Sequence, residues 1–211
     1  MEIILQRLIP FLCLIIAITI HEFSHALAAD KLGDPTPRSM GRLSLNPLAH
    51  ADPFGTFLLP LMSAFTGIPT IGWAKPVTID PFNFRHPKRD EIIVSLAGPL
   101  SNFSLALICS FLVRFFSPLT LAGNIFFYLI LINISLFIFN LLPIPPLDGS
   151  KVFLNLLSPQ SYIKWSEAFD HYGIILLLLF VFLPVSDGRS LINLIMLPAI
   201  KFILSLFGLI Y

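Results

Sequence analysis

The sequence is poor in charged residues and almost free of cysteine. Charged side chains make up 12% of the 211 residues, whereas a soluble domain carries about 25%. This shortage excludes an ordinary soluble protein, and several apolar runs exceed the roughly 18 residues that predict a membrane-spanning helix. Cys13 and Cys109 are too few for a disulfide framework. A formal net charge of +1 gives no indication of a nucleic-acid partner, and none is expected.

The remaining composition is that of an integral membrane protein, 56% hydrophobic with a mean hydropathy of +0.87. We predict an all-α polytopic fold in which about five to six apolar segments form a helix bundle. Gly33-Asp34-Pro35 is expected to end the first helix. The segments lie at about residues 3–29, 54–68, 92–116, 124–142, 173–185 and 191–211.

The second segment, 54–68, is short and is interrupted by Pro60 and Gly67. These features favour a re-entrant or β-hairpin region after the first helix. If 54–68 does not cross the membrane and the other five segments do, nine Lys and Arg lie on one side and three on the other. The positive-inside rule then places residues 30–90 and the loop at Asp148 in the cytosol. The same topology brings His25 and Asp148 to one face of the membrane.

The motif that carries chemistry is His21-Glu22-Phe23-Ser24-His25, near the end of the first apolar segment. On a helix the two imidazoles lie one turn apart, so both can bind one metal ion with Glu22 beside it. Ionisable residues within membrane segments are rare and mark function. The motif therefore predicts a metal-dependent hydrolase whose site lies in or just beneath the membrane.

A catalytic zinc commonly has three protein ligands and one position open to water. His21 and His25 supply two. Asp148 is the favoured third, because it follows an uncharged segment directly after a proline-rich break in the helix. An ordinary Asp-Gly turn explains the same residues, and His50 and Asp52 are rival ligands.

Several motifs in combination resemble the site-2 protease family. The resemblance covers about residues 8–157 and implies a single membrane-embedded protease domain over 1–211, with additional C-terminal helices over 173–211. It is carried by His21-Glu-Phe-Ser-His25, Gly72-Trp73-Ala74-Lys75-Pro76, Gly98-Pro99-Leu100-Ser101-Asn102 and Asn140-Leu-Leu-Pro-Ile-Pro-Pro-Leu-Asp148-Gly149.

The resemblance implies cleavage of peptide bonds within or near the transmembrane segments of membrane-protein substrates. It implies Zn²⁺ held by His21, His25 and Asp148, with Glu22 as catalytic acid and base. The implied location is the plasma membrane, with the active site near its cytosolic side.

The resemblance also implies roles for three further residues. Asn140 resembles a residue that hydrogen-bonds the substrate strand or the developing oxyanion. Asn102 is expected to bind substrate, and the stretch around Trp73 resembles a strand region that pairs with an unfolded substrate. A helix–helix hydrogen bond within the bundle is the alternative role of both asparagines.

A different class of function also fits part of the pattern. In a metal-binding transporter or channel, or in an inactive scaffold, Asn102, Asn133 and Asn140 would line a polar path. Against this alternative, Glu22 beside the two histidines has no clear use in a transporter.

Overall fold

The computed structural model describes residues 2–58, 62, 75–186 and 189–209. Short one-turn elements lie at Pro53–Leu58 (π-helical), Pro81–Asn83 and Val113–Phe115 (both 3₁₀), and strands β1 (Pro184–Ser186) and β2 (Arg189–Ser190) form an antiparallel pair. The α-helices are α1 (Glu2–Leu32), α2 (Thr36–Ser39), α3 (Pro47–His50), α4 (Pro87–Leu112), α5 (Leu121–Asn140), α6 (Asp148–Leu156), α7 (Pro159–Phe182) and α8 (Leu191–Leu206).

Four helices within the described residues are long and apolar enough to cross a membrane: Leu8–Leu32, Pro87–Phe115, Leu121–Asn140 and Pro159–Phe182. Helix α8 is apolar but shorter. The all-α polytopic fold is thereby confirmed. Most of segment 54–68 lies outside the described residues, and the described part of 30–86 contains short helices and turns but no strand.

Helices α1, α4 and α5 pack against one another and form the centre of the bundle. Small side chains allow this close approach, which in a membrane depends on van der Waals packing; Ala17 and Ala106 are fully buried. The central cluster consists of Cys13, Ala106, Cys109, Leu129, Ile130, Ile134, Ile203 and Phe207. Both cysteines are free thiols inside it.

The end of α1 is joined to the beginning of α4 through one buried carboxylate. Gly33 ends α1 in the left-handed region at φ 108°, as the sequence predicted. Asp34, which is fully buried, then accepts hydrogen bonds from the backbone N–H of Thr36 (3.0 Å) and of Asp80 (2.9 Å) and from the side chain of Asn83 (2.9 Å).

This network means that the connection from residue 33 to residue 86 begins and ends at one end of the bundle, here called the Asp34 end. Most of segment 54–68 lies outside the described residues, so its not crossing the membrane remains a prediction. The opposite end, where α4 gives way to α5, is called the Arg114 end.

The C-terminal helices differ from the prediction. Helix α7 begins at Pro159 rather than near residue 173, and it begins at the Asp34 end, where Lys88 Nζ lies 3.5 Å from the Leu157 carbonyl. After α8, the Phe207 carbonyl accepts a hydrogen bond of 2.7 Å from Arg114. The chain from 157 to 207 thus makes one net crossing, and the expectation that segments 173–185 and 191–211 each cross is wrong. At 16 residues, α8 is shorter than the roughly 20 that a span requires.

Candidate metal centre

Helix α1 presents two histidines on the face that packs against α4. His21 and His25 lie four positions apart, so one turn of helix brings their rings together edge to face, with centroids 4.6 Å apart and an angle of 80° between the ring planes. The residues are only 7% and 5% exposed. Their Nε2 atoms lie 3.0 Å from each other, so both rings direct the same nitrogen at one point.

Asp148 reaches this point as the first residue of α6, which packs against α4. Its Oδ2 lies 3.2 Å from the Nε2 atoms of both His21 and His25. Gly149 makes the approach possible, because a Cβ at this position would collide with the Leu141 carbonyl.

A hydrogen-bonded chain across three helices fixes which nitrogen of His21 carries its proton. The Leu129 carbonyl can only accept, so Asn133 donates to it through Nδ2 (2.8 Å) and offers its Oδ1 to Asn102. Asn102 donates through Nδ2 to that oxygen (2.7 Å) and to the Ala17 carbonyl (3.1 Å). Its Oδ1 therefore accepts a hydrogen bond of 2.6 Å from His21 Nδ1. Nε2 of His21 is then unprotonated and offers its lone pair.

His25 has the same tautomer for a simpler reason. Its Nδ1 lies 2.7 Å from the Val94 carbonyl, which can only accept a hydrogen bond. Nδ1 therefore carries the proton and Nε2 is unprotonated. A ring nitrogen held by a carbonyl or an amide in this way is the usual support of a metal-binding histidine.

The three atoms that meet are two nitrogen lone pairs and one carboxylate oxygen, all acceptors. Three acceptors this close repel one another unless a metal ion or a proton lies between them. The sides of the triangle are 3.0, 3.2 and 3.2 Å, and ligands of a tetrahedral zinc lie about 3.3–3.4 Å apart. Among the described residues, His21, His25 and Asp148 are the group whose donor atoms gather closely enough to hold a metal ion. The donor set and its spacing fit zinc.

The backbone of α4 closes one side of this centre at Gly98. A Cβ on Gly98 would collide with Nε2 of His25 and would lie 2.7 Å from Cε1 and Nε2 of His21. Only glycine permits this contact between α4 and the imidazoles.

A cavity of about 120 Å³ opens beside the three donor atoms. Glu22 borders it, and its Oε2 accepts a hydrogen bond of 3.1 Å from the Val77 N–H, in the extended stretch that precedes α4. Asn140 also borders the cavity, at the end of α5, and donates from Nδ2 to the Leu136 carbonyl at 3.0 Å. Glu22 and Asn140, which the sequence assigned to catalysis, therefore face the same space as the donor atoms.

Sequence reasoning missed two other polar residues around this cavity, Ser95 and Lys151. Lys151 follows Asp148 by three positions, so the helical spacing of α6 was the available signal. Ser95 carried no such signal, because its position depends on how α4 packs against α1.

Of the other predicted substrate-binding residues, Asn102 does not border the cavity. Asn102 is fully buried, and both groups of its amide are taken by protein partners. Its position therefore disagrees with direct contact to a substrate and matches the alternative, a hydrogen bond within the bundle. Trp73 lies outside the described residues.

The rival ligands are engaged elsewhere. His50 is 1% exposed, and its Nε2 lies 2.7 Å from the Ser44 carbonyl. Asp52 caps the turn at Pro53–Leu58, accepting hydrogen bonds from the N–H groups of Phe54 (3.0 Å) and Gly55 (2.7 Å). Neither residue belongs to the group around His21.

Comparison with known proteins gives a consistent result. The family model described as "Peptidase family M50" matches residues 10–124 and 117–183. "Putative zinc metalloprotease YwhC" of Bacillus subtilis is 40% identical over 185 residues, which cover 82% of this chain and 81% of that protein. "Putative zinc metalloprotease Rip2" of Mycolicibacterium smegmatis is 31% identical over 176 residues, 81% of this chain and 65% of that protein.

A more distant relative is "Zinc metalloprotease MJ0392" of Methanocaldococcus jannaschii, 29% identical over 112 residues, 51% of this chain and 33% of that protein. No solved structure matches. The family match extends over most of the chain, and YwhC is similar along most of both proteins. The chain belongs to peptidase family M50, which confirms the resemblance to the site-2 proteases.

Proposed function

We propose that this chain is a zinc metalloprotease that hydrolyses peptide bonds within or near the transmembrane segments of other membrane proteins. The observation that carries the proposal is the triangle of donor atoms from His21, His25 and Asp148, which meets the carboxylate of Glu22 at one cavity. A buried group of acceptors beside a further carboxylate is the arrangement expected of a metal-dependent hydrolase.

Zinc is the proposed cofactor because the relatives are named zinc metalloproteases and the donor set fits it. When bound, zinc would polarise the scissile carbonyl and lower the pKa of a bound water. The tautomers set by Asn102 and the Val94 carbonyl present both imidazoles ready for the ion.

Glu22 is the proposed proton carrier. It takes a proton from the attacking water and later delivers it to the leaving amine, as a general base and then a general acid. The Val77 N–H holds one of its oxygens, which orients the carboxylate toward the cavity. Asn140 is proposed to donate a hydrogen bond to the negative charge that develops on the substrate carbonyl oxygen.

The depth of the site supports an intramembrane substrate. His25 and His21 lie seven and eleven residues before the end of the first span at Leu32, hence about 10 and 16 Å inside it at 1.5 Å per residue. An intact α-helix engages its backbone N–H and C=O groups in intrahelical hydrogen bonds, which keeps its peptide bonds from a catalytic centre. We therefore propose that the substrate helix unwinds before cleavage, so that helices with Pro, Gly or Asn near the cut are preferred.

The proposed location is the plasma membrane, with the Asp34 end in the cytosol. Nine Lys and Arg, those of residues 31–89 together with Lys151 and Lys164, belong to the parts of the chain that begin or end at the Asp34 end. The positive-inside rule then makes this end cytosolic.

No observation favours the transporter alternative. Asn102 and Asn133, two of the three residues that would line its polar path, are fully buried and hydrogen-bonded to each other.

The test combines metal content with cleavage. Detergent-purified wild type is expected to hold about one zinc per chain, and His25→Ala and Asp148→Ala are expected to lose it. His171→Ala removes an exposed imidazole of α7 and is the matched control. Glu22→Gln is expected to retain zinc and to abolish cleavage of single-span reporter proteins carrying Pro, Gly or Asn in their transmembrane helix. Zinc retained by Asp148→Ala, or cleavage by Glu22→Gln, would contradict the proposal.

A further inference from the structure

A second polar cavity lies at the Asp34 end of the bundle, between the last turn of α1 and the first turn of α4. Its volume is about 330 Å³. Cationic side chains from three separate parts of the chain converge on it: Lys31 from α1, Arg85 from the stretch before α4, and Arg89 from α4. His86 borders it as well.

The three cations have no anionic partner within the described part of the chain. Each is exposed, and none takes part in an ion pair or a side-chain hydrogen bond there. Arginines elsewhere do find partners: Arg38 pairs with Asp30 at 2.5 Å, and Arg114 donates to the Phe207 carbonyl at 2.7 Å.

One carboxylate, Asp90, also borders the cavity. It is 3% exposed, and its Oδ2 accepts a hydrogen bond of 3.0 Å from the His86 N–H, so it serves to cap α4. Three formal positive charges therefore face one carboxylate that is already hydrogen-bonded, and the cavity is positive overall.

The position of the cavity indicates which kind of anion it binds. Leu32 ends one membrane span and Pro87 begins another, so the cavity lies at the boundary between hydrocarbon and water. Phospholipid headgroups occupy that boundary, and basic pockets between transmembrane helices bind anionic ones.

We propose that this cavity binds the phosphate group of an anionic phospholipid headgroup, with Lys31, Arg85 and Arg89 as its ligands. Arginine and lysine are the residues that recognise phosphate oxygens. Such a lipid would hold α1 and α4 together at their Asp34 end. The histidines, which the same two helices bring against Gly98, lie about 10 and 16 Å further along α1.

The test is lipid retention by the full-length chain, measured by native mass spectrometry after purification in a neutral detergent. Phosphatidylglycerol and phosphatidylcholine are offered at equal concentration, and inorganic phosphate is offered in a separate arm. Wild type is compared with Arg85→Gln/Arg89→Gln. The matched control, Lys88→Gln/Lys164→Gln, removes the same charge at the same end of the bundle but outside the cavity.

Wild type is expected to retain phosphatidylglycerol over phosphatidylcholine. The Arg85→Gln/Arg89→Gln variant is expected to weaken phosphatidylglycerol binding about 30-fold, since each cation near an anionic headgroup contributes roughly a factor of five. The control should change little, and Arg85→Lys/Arg89→Lys should retain most of the binding.

Three results would overturn the proposal. If wild type retained phosphatidylglycerol and phosphatidylcholine equally, the proposal would be wrong, and this result does not depend on whether any variant folds. Equal weakening in the control would show a general effect of surface charge. Binding of inorganic phosphate that depends on Arg85 and Arg89, without a preference for phosphatidylglycerol, would assign the site to free phosphate instead of a lipid.

Discussion

Asn102 Oδ1 lies 2.6 Å from Nδ1 of His21, and the direction of this hydrogen bond is determined on the far side of the bundle. The Leu129 carbonyl orients Asn133, which orients Asn102, which fixes the tautomer of His21. The proposed metal centre therefore depends on all three central helices, α1, α4 and α5, although its ligands come from α1 and α6.

Asn102→Leu is expected to lower zinc affinity about 10- to 100-fold, the usual loss when the outer partner of a metal-binding histidine is removed. The His21 ring loses the acceptor that keeps its proton on Nδ1. Affinity is measured by competition with a chromophoric chelator on the detergent-purified protein.

Asn102→Asp distinguishes the orientation of His21 from the packing of the helices. It keeps an oxygen that accepts the hydrogen bond from His21, but it loses the Nδ2 hydrogen bonds to Ala17 and Asn133. It should retain more affinity than Asn102→Leu. Ser104→Ala, on the exposed face of α4, is the control. Wild-type affinity in Asn102→Leu would show that the chain of hydrogen bonds does not support the metal centre.

Gly98→Ala is expected to abolish zinc binding, or to reduce it more strongly than Asn102→Leu. The added methyl group would occupy the space of the two imidazoles, and moving α4 away would disturb its packing against α1 and α5. Zinc content and thermal stability are measured together.

Ala97→Ser adds one heavy atom at the preceding position and is expected to leave zinc content unchanged. Full zinc occupancy in Gly98→Ala would mean that α4 can retreat from the histidines.

The sequence was sufficient to predict that His21, His25 and Asp148 lie together, because its signals are local. The four-residue spacing of His21 and His25 places both on one face once a helix forms, and the count of Lys and Arg placed Asp148 at the same end. Gly33-Asp34-Pro35 likewise marked the end of α1. What connects these parts was harder to predict, since no local pattern shows that Asn102 faces His21 instead of the cavity.

Helix starts were predicted too late where polar residues open the helix. Helix α7 begins at Pro159 after Ser158, whose side chain accepts a hydrogen bond from the Ser161 N–H. Ser followed by Pro is a recognised start signal, but hydropathy alone placed the segment at 173. The single net crossing of α7 and α8 was inferred from the hydrogen bond between Arg114 and the Phe207 carbonyl. This is a contact between residues far apart in the sequence, and no local pattern predicts it.

Asp34 is expected to stabilise the fold in a pH-dependent manner. Burial opposes its ionisation, but hydrogen bonds from Thr36, Asp80 and Asn83 outweigh it and lower the pKa of Asp34. Because the folded pKa lies below the unfolded value of about 3.9, the stabilisation is complete above that value and is lost as the pH falls below about 4.

Asp34→Asn should lower the free energy of unfolding at pH 7 by about 1–3 kcal/mol. The amide replaces one acceptor oxygen by an NH₂ group, which cannot accept the hydrogen bonds that Thr36, Asp80 and Asn83 donate to Asp34. Thermal unfolding in detergent is measured from pH 7 to pH 3, and the difference from wild type should narrow below about pH 4. Asp170→Asn, at an exposed position of α7, is the control. A difference that stays constant with pH would mean that the charge of Asp34 is not what stabilises this junction.

Asn140→Ala tests whether the residue stabilises charge during the reaction or only ends α5. Its Nδ2 donates to the Leu136 carbonyl, so a structural role would appear as lower stability with unchanged turnover. A residue that donates to the developing oxyanion would instead lower kcat about 10²- to 10³-fold, the usual loss when one such donor is removed. Zinc content should stay at the wild-type level, because Asn140 is not among the three donor residues. We expect the lower kcat, since Asn140 borders the same cavity as Glu22. Loss of zinc together with activity would contradict both roles. It would mean that Asn140 helps to hold Asp148 in place.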